Sequence, residues 1–264
     1  MRTTPRYCST KSSLRPPESR SDRTRSSSAL AMSPILASSC RVVALVPAAG
    51  QGVRLAAGMP KAFVPLLGRP LLWYCVQGLL ASGCVGRVVV AVGEQHHDQA
   101  RRALAQAGDQ VQIVTGGLHR SDSVQAALAR VPDAEVVLVH DAARCLTPVS
   151  VIQAVAHAVL AGQQAVVPVL TVVDTIKQVD SDDRVVSTLD RAALRVVQTP
   201  QGFAGELLRR AHSEASGPMT DDAGLVEALG VPVSTLPGHP HAFKITTQFD
   251  LAVAEVIAGA SGMA

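Results

Sequence analysis

The 264-residue sequence predicts an α/β fold, a mostly parallel sheet with helices on both faces and a protruding β-hairpin arm. Three observations predict it. Short Val-rich runs alternate with stretches of helical period from residue 41 onward. The runs are apolar without interruption, as strands covered on both faces are, whereas strands with one wet face alternate. Residues 171–190 break the pattern with two short β-type runs around a polar turn.

The runs at 42–46, 88–92, 111–114, 136–139 and 165–170 are expected as buried strands. Stretches 70–81, 97–107, 121–130, 149–161, 204–215, 221–229 and 247–258 have helical period or composition. Strand and helix taking turns gives βαβ units, whose crossover helices cover the sheet. In the arm, 172–179 and 184–189 flank Asp180-Ser181-Asp182-Asp183, a polar hairpin tip. Residues 40–264 are expected as one folded domain with 171–190 as its arm. Ligands of such sheets lie beyond the carboxyl ends of the strands, so chemistry is sought just after each Val-rich run.

Residues 1–39 are rich in Ser, Arg, Thr and Pro without apolar periodicity, and are expected to be a disordered extension or a mis-called start. An Arg- and Ser-rich, acid-poor segment also fits a plastid transit peptide. The plainer expectation is an over-long reading frame, with Met32 near its end, and a cytoplasmic protein. Residues 1–40 hold seven basic and two acidic residues, a net of +5, which leaves −2 for the rest of a chain whose total is +3. A slightly acidic body without an Arg/Lys stripe is not a surface for a nucleic-acid backbone. No stretch approaches the ~18 apolar residues of a membrane span. Neither nucleic acid nor membrane is therefore expected as a partner.

Five cysteines, Cys8, Cys40, Cys75, Cys84 and Cys145, are odd in number and form no C-x-x-C pair, which fits a reduced protein without a disulfide or zinc framework. His96/His97 and His239/His241 lack nearby Cys partners and are expected as surface or loop residues. Lysine is scarce. Only Lys11, Lys61, Lys177 and Lys244 occur in a chain that otherwise uses Arg, so each body lysine is a candidate for a role that needs a compact ammonium.

The first strand runs into Pro47-Ala48-Ala49-Gly50-Gln51-Gly52-Val53-Arg54, followed by Met59-Pro60-Lys61. Glycines and small alanines let backbone N–H groups approach a phosphate or base, and Arg54 and Lys61 bring two cations to the same loop. This is neither a Walker P-loop nor a dinucleotide fingerprint, because G-x-x-x-x-G-K-[ST] is absent and G-x-G-x-x-G fails at Leu55. The loop resembles the P-A-A-G-x-G-x-R signature of sugar-nucleotide pyrophosphorylases and nucleotidyltransferases. That resemblance implies a Rossmann-like fold, Arg54 and Lys61 on the triphosphate, and Ala48, Ala49, Gly50 and Gly52 around CTP.

Further along, Val139-His140-Asp141-Ala142-Ala143-Arg144 is similar to the hallmark of the 2-C-methyl-D-erythritol 4-phosphate cytidylyltransferase family and of ribitol-phosphate cytidylyltransferases. It implies Asp141 near the ribose or metal and Arg144 on the acceptor. The family pattern has Pro after this Arg and this chain has Cys145, which predicts a less rigid loop. Gly116-Gly117-Leu118-His119-Arg120-Ser121-Asp122-Ser123-Val124 resembles G-G-x-x-R-x-x-S-V, which implies that the Gly117 backbone and the Ser123 hydroxyl read cytosine; its ordinary reading is helix capping by Ser121 or Asp122. Some family members carry an acidic residue where Leu118 stands. Asp174-Thr175-Ile176-Lys177, Asp190-Arg191 and Thr199-Pro200-Gln201 resemble D-T-x-K, D-R and T-P-Q, which implies Thr175, Arg191 and Thr199 on the acceptor phosphate. Thr220-Asp221-Asp222-Ala223 matches T-D-E/D-A, but Thr at an N-cap with acids in the first turn explains it without a ligand. Lys244 in Phe243-Lys244-Ile245-Thr246-Thr247 resembles N-I-K-[IV]-T and is expected in the active site, although Ala242-Phe243 replaces the usual polar pair.

The reaction that the resemblance implies needs no general base, since an acceptor phosphate with a second pKa of about 6 is already largely dianionic at neutral pH. That agrees with the lack of a Ser-His-Asp or Cys-His constellation. The expected catalytic groups are Arg54, Lys61 and Lys244, with Mg2+ bound mainly through the CTP phosphates and Asp141 as its one protein ligand. The expected product lies in non-mevalonate isoprenoid precursor synthesis, and the arm is expected to make a homodimer. A ribitol 5-phosphate cytidylyltransferase is the nearest alternative. An NAD-dependent dehydrogenase would need the missing third Gly and an acid such as that of Gly93-Glu94, and a non-catalytic nucleotide-binding regulator would not need Arg144 and Arg191.

Overall fold

The first apolar run folds as β1 (Val42–Pro47), and its neighbours explain why it has no polar side. Val42, Ala44 and Val46 enter one hydrophobic core while Val43 and Leu45 enter another, because successive strand side chains leave on opposite faces. β1 opens a computed structural model that describes residues 41–50, 58–214 and 219–262. The expected disorder of 1–39 and the candidate residues Gly52 and Arg54 lie outside the described residues.

A short hairpin of β2 (Pro65–Leu66) and β3 (Arg69–Pro70) leads into α1 (Leu71–Ala81). Then follow β4 (Arg87–Val92), α2 (His97–Ala103), β5 (Val111–Thr115), α3 (Arg120–Leu128), β6 (Val136–Val139), α4 (Val149–Leu160) and β7 (Ala165–Thr171). The arm carries β8 (Lys177–Val179) and β9 (Val185–Thr188). The chain closes with β10 (Arg195–Val197), β11 (Gln201–Ala204), α5 (Gly205–Glu214), α6 (Asp222–Ala228), β12 (Ser234–Pro237) and α7 (Gln248–Ala260). Every expected strand and helix is present. The helix expected over 97–107 ends early, at Ala103, and a 3-10 stretch takes over in which Gly108 adopts φ 56°.

The main sheet has eight strands. β1 lies between β4 and β6, parallel to both, and β5 is parallel to β4. The rest is more mixed than the alternation implied, because β11 is antiparallel to β6 and β7, and β10 is antiparallel to β7. β12 pairs parallel with β7. Val166 pairs with both Gly202 and Ser234, and Val169 with both Val197 and Pro237. A strand has two edges, so β10 and β11 follow one another along one edge of β7 and β12 takes the other. Thr199-Pro200, between β10 and β11, is a cis peptide.

Helices cover both faces. Leu71 of α1, Ile152 of α4 and Ala254 of α7 share a core with Val42, while Val124 of α3, Leu208 of α5 and Val226 of α6 share the other with Val43. The described residues belong to one compact unit, Ser39–Ala264. Among them no helix is long and apolar enough to cross a membrane.

The arm forms a separate two-stranded antiparallel ribbon. Its tip is pinned by the Asp180 carboxylate, which accepts from the backbone N–H groups of Asp182 and Arg184, both at 2.9 Å. Val173, Val179, Val185 and Val186 are exposed, whereas Val172 and Ile176 are half-buried.

Candidate active site

Parallel strands bring their carboxyl ends to one edge of the sheet. Three backbone bonds carry the ladder one step past the strands: Ala48 N–H to Ala91 O at 2.7 Å, Gly116 N–H to Val92 O at 2.8 Å and His140 N–H to Leu45 O at 2.9 Å. The loops after β1, β5 and β6 are thereby seated side by side. A cavity of about 230 Å³ opens among them, where the chain order leaves β1 in both directions, the usual ligand position in such folds. Ala48, Ala49, Gly50, Lys61, Gly117, Ser123, Asp141 and Lys244 all line it. Residues as far apart as Ala48 and Lys244 are thus brought together from five segments of the chain.

The loop after β5 needs its glycines for close packing. A Cβ on Gly116 would meet the Ser123 hydroxyl at 2.7 Å and Ala49 Cβ at 2.8 Å, and one on Gly117 would overlap the Asp122 side chain. The Gly117 N–H donates to Ser123 Oγ at 3.2 Å, and that buried hydroxyl is 3.3 Å from the His119 carbonyl. Helix α3 is capped from His119, with Asp122 Oδ2 accepting from the His119 N–H at 2.9 Å. Asp122 therefore has the capping role that the sequence suggested for it or Ser121. Leu118 stands at the rim, 90% exposed.

Asp141 is the electrostatic centre. Its Oδ2 is 2.8 Å from Lys244 Nζ and its Oδ1 accepts from Arg120 Nε at 3.3 Å, with Arg144 Nε 3.9 Å from Oδ2. Burial alone would push the Asp141 carboxyl up, but Arg120, Lys244 and Arg144 together hold it well below the usual carboxylate range. Lys244 is placed by its neighbours: the Ile245 N–H donates to Ala143 O at 2.9 Å, and two residues later a capping box fixes the start of α7. There the Asp250 carboxylate accepts from the Thr246 and Thr247 N–H groups at 2.7 and 2.8 Å.

Four expected acceptor residues lie elsewhere. Arg144 does not open toward the cavity. Its side chain is 13% exposed and donates to the carbonyls of Ala242 at 2.7 Å and Val197 at 3.1 Å, so its place here is that of a clamp between the β6 loop, β10 and the segment carrying Lys244. Thr199 is buried behind Asp141, with its hydroxyl 2.8 Å from His140 Nδ1 and accepting the Asp141 N–H at 3.1 Å. Both side chains are turned inward in this structure, Arg144 onto backbone carbonyls and Thr199 onto His140 and the Asp141 N–H. Thr175 and Arg191 are exposed on the arm and at its base, and Arg191 donates to Val173 O at 2.6 Å. Neither lines the cavity of its own chain.

Sequence reasoning passed over Arg120. It lines the cavity and bridges Asp141 to Asp222, donating to Asp222 Oδ2 at 2.5 Å. Its only signal was its fixed place in G-G-x-x-R. The cap of α6 also differs from expectation: Asp221, not Thr220, is the N-cap, accepting from Gly224 N–H at 3.0 Å, and Asp222 is buried.

The model of the 2-C-methyl-D-erythritol 4-phosphate cytidylyltransferase family matches residues 42–260. The 2-C-methyl-D-erythritol 4-phosphate cytidylyltransferase of Saccharopolyspora erythraea is 58% identical over 220 residues, covering 82% of this chain and 98% of the relative. That of Nocardia farcinica is 55% identical over 216 residues, covering 82% and 93%. The crystal structure of the Thermus thermophilus enzyme of the same name superposes with a TM-score of 0.68 at 37% identity, covering 83% of this chain and 99% of that one. The chain belongs to the 2-C-methyl-D-erythritol 4-phosphate cytidylyltransferase family.

Two departures from the family pattern have local explanations. Cys145, in place of Pro, has φ −65°, the value a Pro ring would impose. Its thiol is buried and burial pushes it up to about 12, so it is a packed apolar group. Packing of the buried thiol thus supplies a constraint at the position where the family pattern has a ring. Ala242 is fully buried and contributes its carbonyl to Arg144, a contact that needs no polar side chain.

Among the described residues no group of three or more His, Cys, Asp or Glu side chains could hold a metal ion, and Asp141 is the single carboxylate lining the cavity. One carboxylate fits Mg2+ held chiefly by nucleotide phosphates, the common arrangement for this ion.

Proposed function

We propose that this chain transfers CMP from CTP to 2-C-methyl-D-erythritol 4-phosphate, giving 4-diphosphocytidyl-2-C-methyl-D-erythritol and pyrophosphate for isoprenoid precursor synthesis. The observation that carries the reading, beyond family membership, is the charge of the cavity: Lys61, Arg120 and Lys244 face it against the single carboxylate of Asp141. A net positive pocket is what two polyanions need if they are to meet.

In this reading the acceptor phosphate attacks the α-phosphorus of CTP. The new P–O bond forms as the bond to the pyrophosphate oxygen breaks, and no proton has to be removed from a dianionic nucleophile. Lys61 and Lys244 stabilise the charge that develops on the α-phosphate and leaving group. Asp141 holds Lys244 at 2.8 Å until the phosphates arrive. Ala48, Ala49, Gly50 and the Gly117–Ser123 turn leave room for cytidine against backbone N–H groups, and Arg54 belongs with Lys61 by its place in the loop signature. Asp141 is the protein carboxylate that would help hold Mg2+ bound to the CTP phosphates, and the ion would supply further charge neutralisation there.

The acceptor side of the site is shared between two chains in this reading. Thr175 and Arg191 sit away from their own cavity on a ribbon whose Val173, Val179, Val185 and Val186 are exposed. An isolated two-stranded ribbon is marginal in water, and a second copy would cover it in a two-fold interface. Thr175 and Arg191 then serve the neighbour's acceptor phosphate, in a cytoplasmic homodimer. Pyrophosphate release in the presence of CTP, Mg2+ and 2-C-methyl-D-erythritol 4-phosphate tests the reaction; purified folded protein that releases none would refute it.

A further inference from the structure

Asp222 has a contact set that helix capping does not account for. Asp221 caps α6, so the adjacent Asp222 is not needed there, yet its side chain is 1% exposed. One oxygen accepts from Arg120 Nη1 at 2.5 Å and the other is 2.9 Å from Nε2 of His212, itself a buried side chain on α5. The carboxylate accepts from both, so the His212 Nε2 carries a hydrogen. Burial would push Asp222 up, but His212 and Arg120 hold it below the usual carboxylate range.

The consequence lies on the other side of Arg120. The same guanidinium donates through Nε to Asp141 Oδ1, whose partner oxygen holds Lys244. A single row of alternating partners therefore runs His212–Asp222–Arg120–Asp141–Lys244, from α5 into the cavity. Arg120 also lines a second cavity beside α6, together with His212 and Asp222. Without Asp222 the guanidinium would have room to leave Asp141. Buried ion pairs contribute little net stability compared with apolar packing, so this one is better explained by the geometry it fixes than by the energy it adds.

We propose that Asp222, oriented by His212, is a positioning residue of the active site: it anchors Arg120 from behind, and Arg120 aims Asp141 and through it Lys244. This rests on the reading of Asp141 and Lys244 as active-site groups. Groups of this kind behind a ligand or catalytic side chain typically cost roughly ten- to hundred-fold in activity when altered.

The test is a double-mutant cycle on the full chain, with kcat and KM for CTP and acceptor, CTP affinity by calorimetry, and Tm for every variant. Asp222→Asn is expected to lower kcat/KM roughly ten- to hundred-fold while remaining folded at the assay temperature. In an Arg120→Gln background the same change is expected to cost little more, because its effect passes through Arg120. Losses that multiply, or Asp222→Asn at wild-type kcat/KM, would overturn the proposal. If Asp222→Asn fails to fold, His212→Gln carries the same cycle: a loss absorbed by Arg120→Gln supports the proposal, and an independent or absent one overturns it. An inactive wild-type protein would instead defeat the cytidylyltransferase reading, so the two failures are distinct.

Discussion

His140 gives a prediction whose size follows from the structure. The imidazole is buried directly before Asp141, and burial lowers its pKa from 6.5 to about 4. With the Asp141 N–H donating to Thr199 Oγ1, we assign the hydroxyl's own proton to His140 Nδ1. Protonating His140 would turn that acceptor into a donor and leave the hydroxyl proton without its partner. The unfolded chain binds this proton at higher pH than the folded one, so the contribution is fully present above pH 6.5 and is lost as pH falls toward 4. At about 1.36 kcal/mol per pKa unit, the full window is worth about 3 kcal/mol, and about 2 kcal/mol of it falls between pH 7.5 and 5. Urea unfolding of wild type and His140→Gln at both pH values measures it. Wild type is expected to lose about 2 kcal/mol more than the variant over that interval. Parallel pH profiles for the two proteins would refute the reasoning.

Two further outcomes follow from the site and the arm. Lys61→Ala and Lys244→Ala are each expected to lower kcat by the equivalent of roughly 3–4 kcal/mol, as loss of a donor to developing charge does, with little change in Tm because neither side chain is buried; unchanged turnover would remove that lysine from the mechanism. Mixing inactive Lys61→Ala chains with inactive Arg191→Ala chains is expected to restore activity, since a shared site leaves one intact copy per mixed dimer. Exchange of subunits confirmed without any return of activity would show that each site lies within one chain.

Most of the scaffold was legible because its strands are buried on both faces. Val42–Pro47 and Arg87–Val92 announce themselves as continuous apolar runs. Gln201–Ala204 and Ser234–Pro237 are four residues each and carry Gln, Gly, Ser and Pro, so nothing periodic distinguishes them from loop. Their antiparallel and parallel places beside β7 are set by tertiary pairing alone.

The site divides in the same way. Residues that must meet a ligand through backbone or a lone cation, such as Gly117, Lys61 and Lys244, sit in motifs and reach the cavity. Thr199 and Arg144 sit in motifs too, but which way a Thr or Arg faces depends on carbonyls and N–H groups contributed by Asp141, Ala242 and Val197, far away in sequence. Arg120 and Asp222 are 102 positions apart, and the capping statistics of an acid at a helix start gave no hint of their ion pair.

The most direct test of the central claim compares kcat/KM for 2-C-methyl-D-erythritol 4-phosphate and ribitol 5-phosphate at saturating CTP, with the cytidylyl product identified by mass. Efficient formation of 4-diphosphocytidyl-2-C-methyl-D-erythritol, with ribitol 5-phosphate a poor acceptor, is the predicted result. Preference for ribitol 5-phosphate, or folded protein that transfers CMP to neither, would contradict it.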